Sequence, residues 1–135
     1  MFQIDKPLPG INEDTAPYWE ATRRGELRAQ RCRACGHLWL PPAILCPKCL
    51  GDDLEWQRLS GRGTVYTFIV VHRPQHPAFF ADAPYNVAIV ELEEGVRLTT
   101  NVVNCRPEDL RVDMPLKALY DDVTAEVTLL KFEPA

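Results

Sequence analysis

Two closely spaced cysteine pairs constrain the fold of this chain more than any other feature of its sequence. Cys32 and Cys35 form the first pair, Cys46 and Cys49 form the second, and each pair encloses two residues. Two such turns joined by a short hairpin can bring four thiolates together tetrahedrally, with backbone N–H groups directed at the sulfurs. Four thiolates suit a borderline-soft ion, so the spacing predicts one zinc ion bound by these residues.

The same four cysteines admit other chemistry. A rubredoxin-type iron centre also uses four cysteine ligands, and the spacing alone does not separate iron from zinc. Disulfides are disfavoured in a reducing cytoplasm, and a thioredoxin-like dithiol needs only one Cys-x-x-Cys pair. Four cysteine ligands close the coordination shell, so the metal is expected to stabilise the fold rather than to catalyse. His37 follows the first pair, and we interpret it as a packing or surface residue because the ligand set is already complete.

The composition is that of an ordinary soluble chain. Of the 135 residues, 46% are hydrophobic and 25% are charged, which predicts one domain or two small ones. No apolar stretch approaches the roughly 20 residues of a membrane-spanning helix, and residues 1–7 lack the features of a secretory signal. We therefore expect a cytoplasmic protein. A net charge of -4 argues against non-specific binding to nucleic acid, which depends on clustered Lys and Arg.

A short helix is predicted within residues 12–25, ahead of the cysteines. Asp14 or Thr15 is a suitable N-terminal cap. An isolated helix of about ten residues is unstable in water, so its aromatic residues Tyr18 and Trp19 must pack on another surface. Residues 27–56, which follow, are too few to form a core of their own, and we expect metal binding to supply much of their folding free energy.

From residue 54 onward the sequence changes to short β-strands separated by turns. About five strands in roughly 80 residues is the size of an OB-fold, and an SH3-like barrel is the alternative. The predicted architecture is mainly β, with a helical segment over 1–26, a zinc ribbon over 27–56 and a five-stranded OB-fold barrel over 57–135. The predicted strands are 55–59, 64–72, 85–92, 97–103, 116–120 and 124–132, with turns at 61–63, 93–95 and 121–122.

Several short motifs occur in an order that resembles one known family, DUF35. None of these motifs is specific alone, but together they cover nearly the whole chain. One departure is Val112-Asp113, which stands before Met114 where a small Gly is common. The motifs are Trp19, Gly25-Glu26-Leu27, the four cysteines with Pro41-Pro42 between them, Glu55-Trp56, Ser60-Gly61-Arg62-Gly63, Thr64-Val65-Tyr66-Thr67, Pro84-Tyr85, Val90-Glu91-Leu92-Glu93-Glu94-Gly95, Pro107-Glu108-Asp109-Leu110 and Met114-Pro115.

The resemblance implies a rubredoxin-like zinc ribbon followed by an OB-fold. It further implies a protein that is usually encoded beside, and bound to, thiolase-like proteins that handle acyl-CoA thioesters. Members of the family are described as accessory subunits rather than catalysts. The expected partner is therefore a thiolase-like protein in a hetero-oligomer, with acyl-CoA at or near the shared interface.

The candidate catalytic residues do not form a convincing constellation. Cys105 has no histidine near it in the sequence to act as a base, and we interpret it as a small core residue. His72 and His76 frame the irregular segment 73–84, where exposed histidines are commonly only solvated. The alternating carboxylates Glu91, Glu93 and Glu94 suit a solvated hairpin better than a paired acid and base.

Two alternative functions belong to other classes of protein. Zinc ribbons and OB-folds both occur in proteins that bind single-stranded nucleic acid, where Tyr66 and Phe68 could stack on bases, although alternate strand positions equally fit one face of a packed core. An independent CoA-thioester enzyme would need a Gly-rich phosphate loop or a basic cluster, and neither is visible in the sequence. We therefore predict an accessory subunit. Tyr18, Trp19 and Phe79-Phe80 are candidate interface anchors, or else pack back onto the barrel.

Overall fold

The computed structural model describes residues 5–135. The first four residues lie outside the described residues; they belong to the predicted segment 1–26 and to the stretch 1–7 that was searched for a secretory signal. A short helix comes first and two β-sheets follow it along the chain. Two short 3-10 helices, Pro77–Asp82 and Pro107–Asp109, lie in the loops of the second sheet.

Helix α1 spans Ala16–Arg23 and lies inside the predicted range 12–25. Thr15 occupies the N-cap position, but its side chain makes no capping hydrogen bond to the helix. Thr15 Oγ1 instead accepts a hydrogen bond from the Asn12 N–H at 3.2 Å, which ties the incoming chain to the start of the helix. Tyr18 packs against the hydrophobic core, so part of the surface that this short helix needs comes from the chain itself.

The ribbon sheet has three antiparallel strands, β1 (Leu27–Cys32), β2 (Leu38–Trp39) and β3 (Leu54–Leu59), in the order β2-β1-β3. Strands β1 and β3 pair along their whole length, from Leu27 opposite Leu59 to Cys32 opposite Leu54. The strand predicted at 55–59 therefore belongs to the ribbon sheet, although it was predicted together with the strands of the barrel.

The second sheet contains five strands in the order β6-β5-β4-β7-β8, and all neighbours are antiparallel. Strand β5 has the predicted bounds and alternates between partly and fully buried residues along its length, as expected for a strand with one face on a core. The five strands are β4 (Arg62–Val71), β5 (Tyr85–Leu92), β6 (Arg97–Thr100), β7 (Pro115–Asp122) and β8 (Thr128–Pro134).

The five-stranded sheet curls until its edges meet. Val102 forms an isolated parallel bridge with Phe132 of β8. The Phe132 N–H donates to the Asn101 carbonyl at 3.1 Å, and the Val103 N–H donates to the Phe132 carbonyl at 2.8 Å. This contact joins the residues that follow β6 to strand β8, at the two edges of the sheet. It closes the sheet into the OB-like barrel that was predicted.

The strand predicted at 97–103 ends at Thr100 because a side chain takes over its pairing. The buried amide of Asn86 donates through Nδ2 to the Val102 carbonyl at 2.7 Å. Its Oδ1 accepts from the Val102 N–H at 2.8 Å. Asn86 thus satisfies both backbone groups of Val102 and leaves the neighbouring residues to pair with β8.

The turn predicted at 121–122 and the strand start predicted at 124 were wrong. Residues 121–122 lie within β7, and β8 begins at Thr128. The turn occupies the residues between these strands, where Thr124 Oγ1 accepts hydrogen bonds from the backbone N–H groups of Glu126 and Val127 at 3.2 and 2.9 Å. Asp122 remains in the strand because its carboxylate accepts a hydrogen bond from Thr128 Oγ1 at 2.7 Å.

One hydrophobic core is shared by the ribbon sheet and the barrel. Leu27 and Ala29 of β1 belong to the same buried cluster as Val65, Val90 and Phe132 of the barrel. A second, small cluster contains Cys32, Trp39 and Cys46 around the cysteine site. The inner half of the ribbon is therefore held by the common core, whereas the outer half has very little apolar packing of its own.

Asp113 occupies the position at which the sequence departs from the family pattern. Its φ is 67°, in the left-handed region where glycine is favoured. The Asp113 N–H donates to the Val65 carbonyl at 2.8 Å, so the turn is fixed against β4. Aspartate tolerates this backbone conformation better than most residues, which explains how the turn persists without glycine.

Candidate functional site

The four predicted cysteine ligands converge at the outer end of the ribbon. Their sulfur atoms all lie within 4.8 Å of one another. The Cys32 and Cys49 sulfurs are 3.6 Å apart, as are those of Cys35 and Cys46. Tetrahedral zinc with Zn–S bonds of about 2.3 Å places its ligand sulfurs roughly 3.8 Å apart, so the arrangement fits a single metal ion.

Each pair of cysteines sits in a tight turn with the same backbone pattern. In the first turn the Gly36 N–H donates to the Cys32 carbonyl at 2.8 Å, and in the second the Leu50 N–H donates to the Cys46 carbonyl at 2.8 Å. The Lys48 and Cys49 N–H groups also point at the Cys46 sulfur, at 3.4 and 3.5 Å. These dipoles favour a thiolate over a thiol.

The pKa values of two of these thiols move in opposite directions. Burial opposes ionisation of Cys46, but the N–H groups of Cys49 and Lys48 outweigh it and lower the pKa of Cys46 to about 7. For Cys49, the Gly51 N–H favours the thiolate, yet the neighbouring sulfurs of Cys32 and Cys35 raise its pKa to about 12. Cys49 therefore resists losing its proton unless a cation offsets the charge.

The two turns differ in which residue adopts the left-handed conformation. Gly36 adopts a φ of 79° in the first turn, but in the second turn Leu50, not Gly51, is left-handed, with a φ of 62°. Gly51 has another reason to be glycine, because a Cβ atom there would lie 3.3 Å from the Cys49 sulfur. Leu50 is also 72% exposed, so packing does not explain the choice of leucine.

Replacing Leu50 with asparagine is expected to raise the free energy of unfolding of the metal-loaded protein by about 1 kcal/mol. Asparagine adopts the left-handed region more readily than leucine, and little apolar burial is lost. Urea denaturation measures the change. Val112→Asn is the matched control, because Val112 is 56% exposed and lies outside the left-handed region; its effect should stay within about 0.5 kcal/mol. A destabilised Leu50→Asn variant would show that Leu50 packs against something after all.

His37 packs in the ribbon beside the site. Its imidazole ring stacks on the indole of Trp39, with ring centroids 5.5 Å apart and an interplanar angle of 15°. Trp39 is buried in the small cluster that it forms with Cys32 and Cys46. This stacking agrees with the packing role that was predicted for His37 from the sequence.

An apolar cleft of about 710 Å³ lies between α1, the segment that follows β2, and the barrel. Trp19 lines it from the helix, Leu40, Pro41 and Pro42 from the ribbon, and Leu130 from β8. The cleft is open to solvent and lined mainly by apolar side chains, which is typical of surfaces that bind ligands or partner proteins.

The four candidate anchor residues divide between packing and exposure. Tyr18 lies against the barrel core, where burial, followed by the nearby Tyr120, raises its pKa to about 12. Phe79 is half-buried, with its ring 6.3 Å from that of Tyr85. Trp19 lines the cleft and Phe80 is 57% exposed. Phe80 is therefore the most exposed of the four, and Trp19 shares the lining of the cleft with Tyr18.

Tyr66 and Phe68 do not share one face of the strand, which corrects the core interpretation of this pair. The register between β4 and β5 shifts between Val65 and Thr67, so Tyr66 sits at a β-bulge. Phe68 packs on the core, whereas Tyr66 is 45% exposed. The guanidinium of Arg97 lies 3.9 Å above the Tyr66 ring and covers one of the two faces on which a base could stack.

Cys105 and the loop histidines are engaged in local contacts. Burial, followed by the charge of Asp109, raises the pKa of Cys105, which disfavours the nucleophilic thiolate. Its sulfur is 3.5 Å from the Arg106 carbonyl. His76 Nδ1 accepts the Ala78 N–H at 3.1 Å and caps the 3-10 helix in segment 73–84, while His72 is exposed.

Within residues 5–135, no helix is long and apolar enough to cross a membrane.

Comparison with known families matches two adjoining models. The ChsH2 rubredoxin-like zinc ribbon domain matches residues 19–55, and the ChsH2 C-terminal OB-fold domain matches residues 56–121. In a solved structure, a chain of the Ltp2-ChsH2(DUF35) aldolase is 42% identical, with a TM-score of 0.82; the match covers 94% of this chain and 98% of that one.

Three relatives extend the comparison. A probable enoyl-CoA hydratase alpha subunit from Thermomonospora curvata is 43% identical over 96% of this chain, which spans only 40% of that subunit's length. A DUF35 domain-containing scaffold protein from Methanothermobacter thermautotrophicus is 36% identical over 86% of this chain and 87% of its own. The benzoylsuccinyl-CoA thiolase subunit BbsA from Thauera aromatica is 33% identical over 53% of this chain and 48% of its own. The chain therefore belongs to the DUF35 family, with a ChsH2-type zinc ribbon followed by a ChsH2-type OB-fold domain.

Proposed function

We propose that this chain is a non-catalytic accessory subunit of a thiolase-like complex, of the thiolase or aldolase/acyltransferase type, that acts on acyl-CoA thioesters. The similarity to a chain of the Ltp2-ChsH2(DUF35) aldolase carries the proposal, because it extends over 94% of this chain at 42% identity. Relatives named as a scaffold protein and as a thiolase subunit support the same role.

The metal in this proposal is zinc, held by Cys32, Cys35, Cys46 and Cys49. The sulfur spacing and the backbone N–H groups directed at Cys46 support a tetrahedral ion. Bound zinc would compensate the negative charge of the four thiolates and would cross-link the two cysteine turns of the ribbon. Four thiolates leave no open coordination position, so the chemistry of the complex falls to the partner.

The partner surface is proposed to include the cleft and the exposed Phe80. Trp19 and Phe80 offer the large, rigid apolar contacts that are enriched at protein interfaces. Acyl-CoA would lie at or near this shared interface. We further propose that the assembly is cytoplasmic, because four closely spaced thiols require a reducing compartment to remain metal ligands, and that the domain boundaries lie near residues 26 and 56.

The test is reconstitution with the thiolase-like protein encoded beside this chain. The two purified proteins should elute together from a size-exclusion column, and acyl-CoA turnover should be higher for the complex than for the partner alone. Phe80→Ser should weaken co-elution, whereas Val112→Ser, a change at a residue of similar exposure, should not. An absence of both binding and stimulation, with salt-sensitive binding of single-stranded nucleic acid instead, would establish the rival function.

A further inference from the structure

Three arginines converge on a single carboxylate beside the ribbon sheet. Arg28 approaches the Glu26 carboxylate at 3.3 Å, Arg24 at 3.6 Å and Arg58 at 3.9 Å. We call Arg24, Arg28 and Arg58 the arginine cluster. Burial opposes ionisation of Glu26, but Arg58, Arg28 and Arg24 together lower its pKa, so Glu26 carries its full negative charge at neutral pH. The group retains two positive charges in excess.

The fold forces these charges together from three elements. Helix α1 ends at Arg23, and Gly25, with a φ of 74°, turns the chain so that the Glu26 N–H donates to the Ala21 carbonyl at 2.9 Å. The register of the ribbon sheet then places Arg28 directly opposite Arg58. Like charges opposite each other destabilise a sheet, and one carboxylate offsets only part of this repulsion.

Two of the three guanidinium groups keep their hydrogen-bond donors available. Arg28 Nε donates to Glu26 Oε2 at 3.3 Å, which leaves Arg24 and Arg58 at longer range. Within residues 5–135, neither the Arg24 nor the Arg58 side chain donates a hydrogen bond to a protein acceptor. Their side chains are 54% and 67% exposed, respectively. Each can therefore offer a fork of N–H groups to an anion from solution.

Arg33 and Arg106, in contrast, are each paired with two acids. Arg33 contacts both Asp53 and Glu55, at 3.0 and 3.2 Å, and Arg106 contacts Glu108 and Asp109 at 4.0 and 3.0 Å. In the described part of the chain, Glu26 is the one carboxylate that three arginines share. The convergence of three arginines on one acid is thus particular to this place in the described part of the chain.

We propose that the arginine cluster binds a phosphate monoester, namely the 3′-phosphate of the coenzyme A portion of the thioester. Guanidinium groups pair with phosphate through parallel N–H···O bonds. A phosphate monoester carries nearly two negative charges at neutral pH, since its second pKa is about 6, and this matches the two positive charges in excess. The proposal rests on the proposed function, which brings an acyl-CoA thioester to this chain.

The position of the arginine cluster relative to the cleft agrees with this assignment. Helix α1 lines the cleft with Trp19 and carries Arg24 directly after its last residue. Trp19 and Arg24 are five positions apart, which corresponds to roughly 8 Å along a helix axis. The arginine cluster and the cleft therefore adjoin the same short helix, close enough for one bound coenzyme A thioester to reach both.

The experiment compares three ligands with the zinc-loaded full-length chain, alone and in complex with its partner. Calorimetric titration measures the affinities for coenzyme A, for dephospho-coenzyme A, which lacks the 3′-phosphate, and for inorganic phosphate. The expected result is that coenzyme A binds at least about tenfold more tightly than dephospho-coenzyme A, as for the loss of a charge-assisted contact. Arginine Nε–H resonances of the cluster should shift with coenzyme A and with inorganic phosphate.

The double variant Arg24→Gln/Arg58→Gln should abolish this tenfold preference while still eluting with the partner. The double variant Arg33→Gln/Arg106→Gln is the matched control, since it also removes two positive charges, each where two acids already balance the arginine, and it should keep the preference. Equal affinity for the two coenzymes in the wild type overturns the phosphate site, as does a preference that survives the double variant. Loss of co-elution in the double variant would instead assign the arginine cluster to an acidic surface of the partner. Failure of the wild type to assemble would contradict the proposed function itself.

Discussion

Removal of the metal is expected to unfold the outer half of the ribbon, which includes both cysteine turns and β2. The cluster around Cys32, Trp39 and Cys46 contains too little apolar surface to replace the metal. In small zinc domains the metal-binding free energy is folding free energy, on the order of 10 kcal/mol. Chelation should therefore abolish the near-ultraviolet circular dichroism of Trp39 and expose its indole to quenchers.

The inner half of the ribbon should respond differently to chelation. Leu27 and Ala29 belong to the core shared with the barrel, so amide protection should persist at the start of β1 and decline toward Cys32. Hydrogen exchange measures this gradient. Elemental analysis of the purified protein should find about one zinc per chain, and a red iron protein would correct the identity of the metal.

A matched pair of cysteine substitutions controls for the loss of a thiol. Cys46→Ser should reproduce the effect of chelation, because the sulfur of Cys46 receives two backbone N–H groups and lies within 3.6 Å of Cys35. Cys105→Ser should retain zinc and the ordered ribbon, since Cys105 is not one of the four clustered thiols. A Cys46→Ser protein with full zinc content and native ribbon exchange would remove Cys46 from the ligand set.

Features that depend on local sequence were predictable. The cysteine turns follow from spacing alone, and the bounds of β5 follow from an apolar run between Pro84 and the turn signal at 93–95. The end of β6 was not predictable, because residues 101–103 leave the sheet through hydrogen bonds with Asn86, about fifteen residues earlier in the chain. A strand pattern carries no information about which distant side chain will satisfy its backbone.

The arginine cluster is a candidate site that also could not be predicted from the sequence. In the sequence, Arg28 and Arg58 lie far apart, and no basic cluster for coenzyme A phosphates is visible. The pairing of β1 with β3 makes them direct neighbours, and the glycine turn after α1 adds Arg24. Strand register decides which charges meet, and register is set by burial of the whole sheet rather than by the charged residues themselves.

Replacing Phe132 with alanine is expected to lower the free energy of unfolding by about 3–5 kcal/mol, the usual cost of emptying a buried aromatic site. Phe132 is completely buried in the common core, and its backbone makes the bridge to Val102 that closes the barrel. A cavity there weakens the shared core and the closing contact together. Urea denaturation at fixed zinc concentration measures the loss.

Phe80→Ala is the control for the Phe132 variant, because it removes the same ring from a position that is 57% exposed. Its effect should stay within about 0.5 kcal/mol. If Phe132→Ala cost no more than this control, the curled sheet would not depend on the contact between residues 101–103 and β8. A large loss of stability in the Phe132 variant alone would show that packing at this closing strand stabilises the barrel. It would show the same for the ribbon, which shares the core of the barrel.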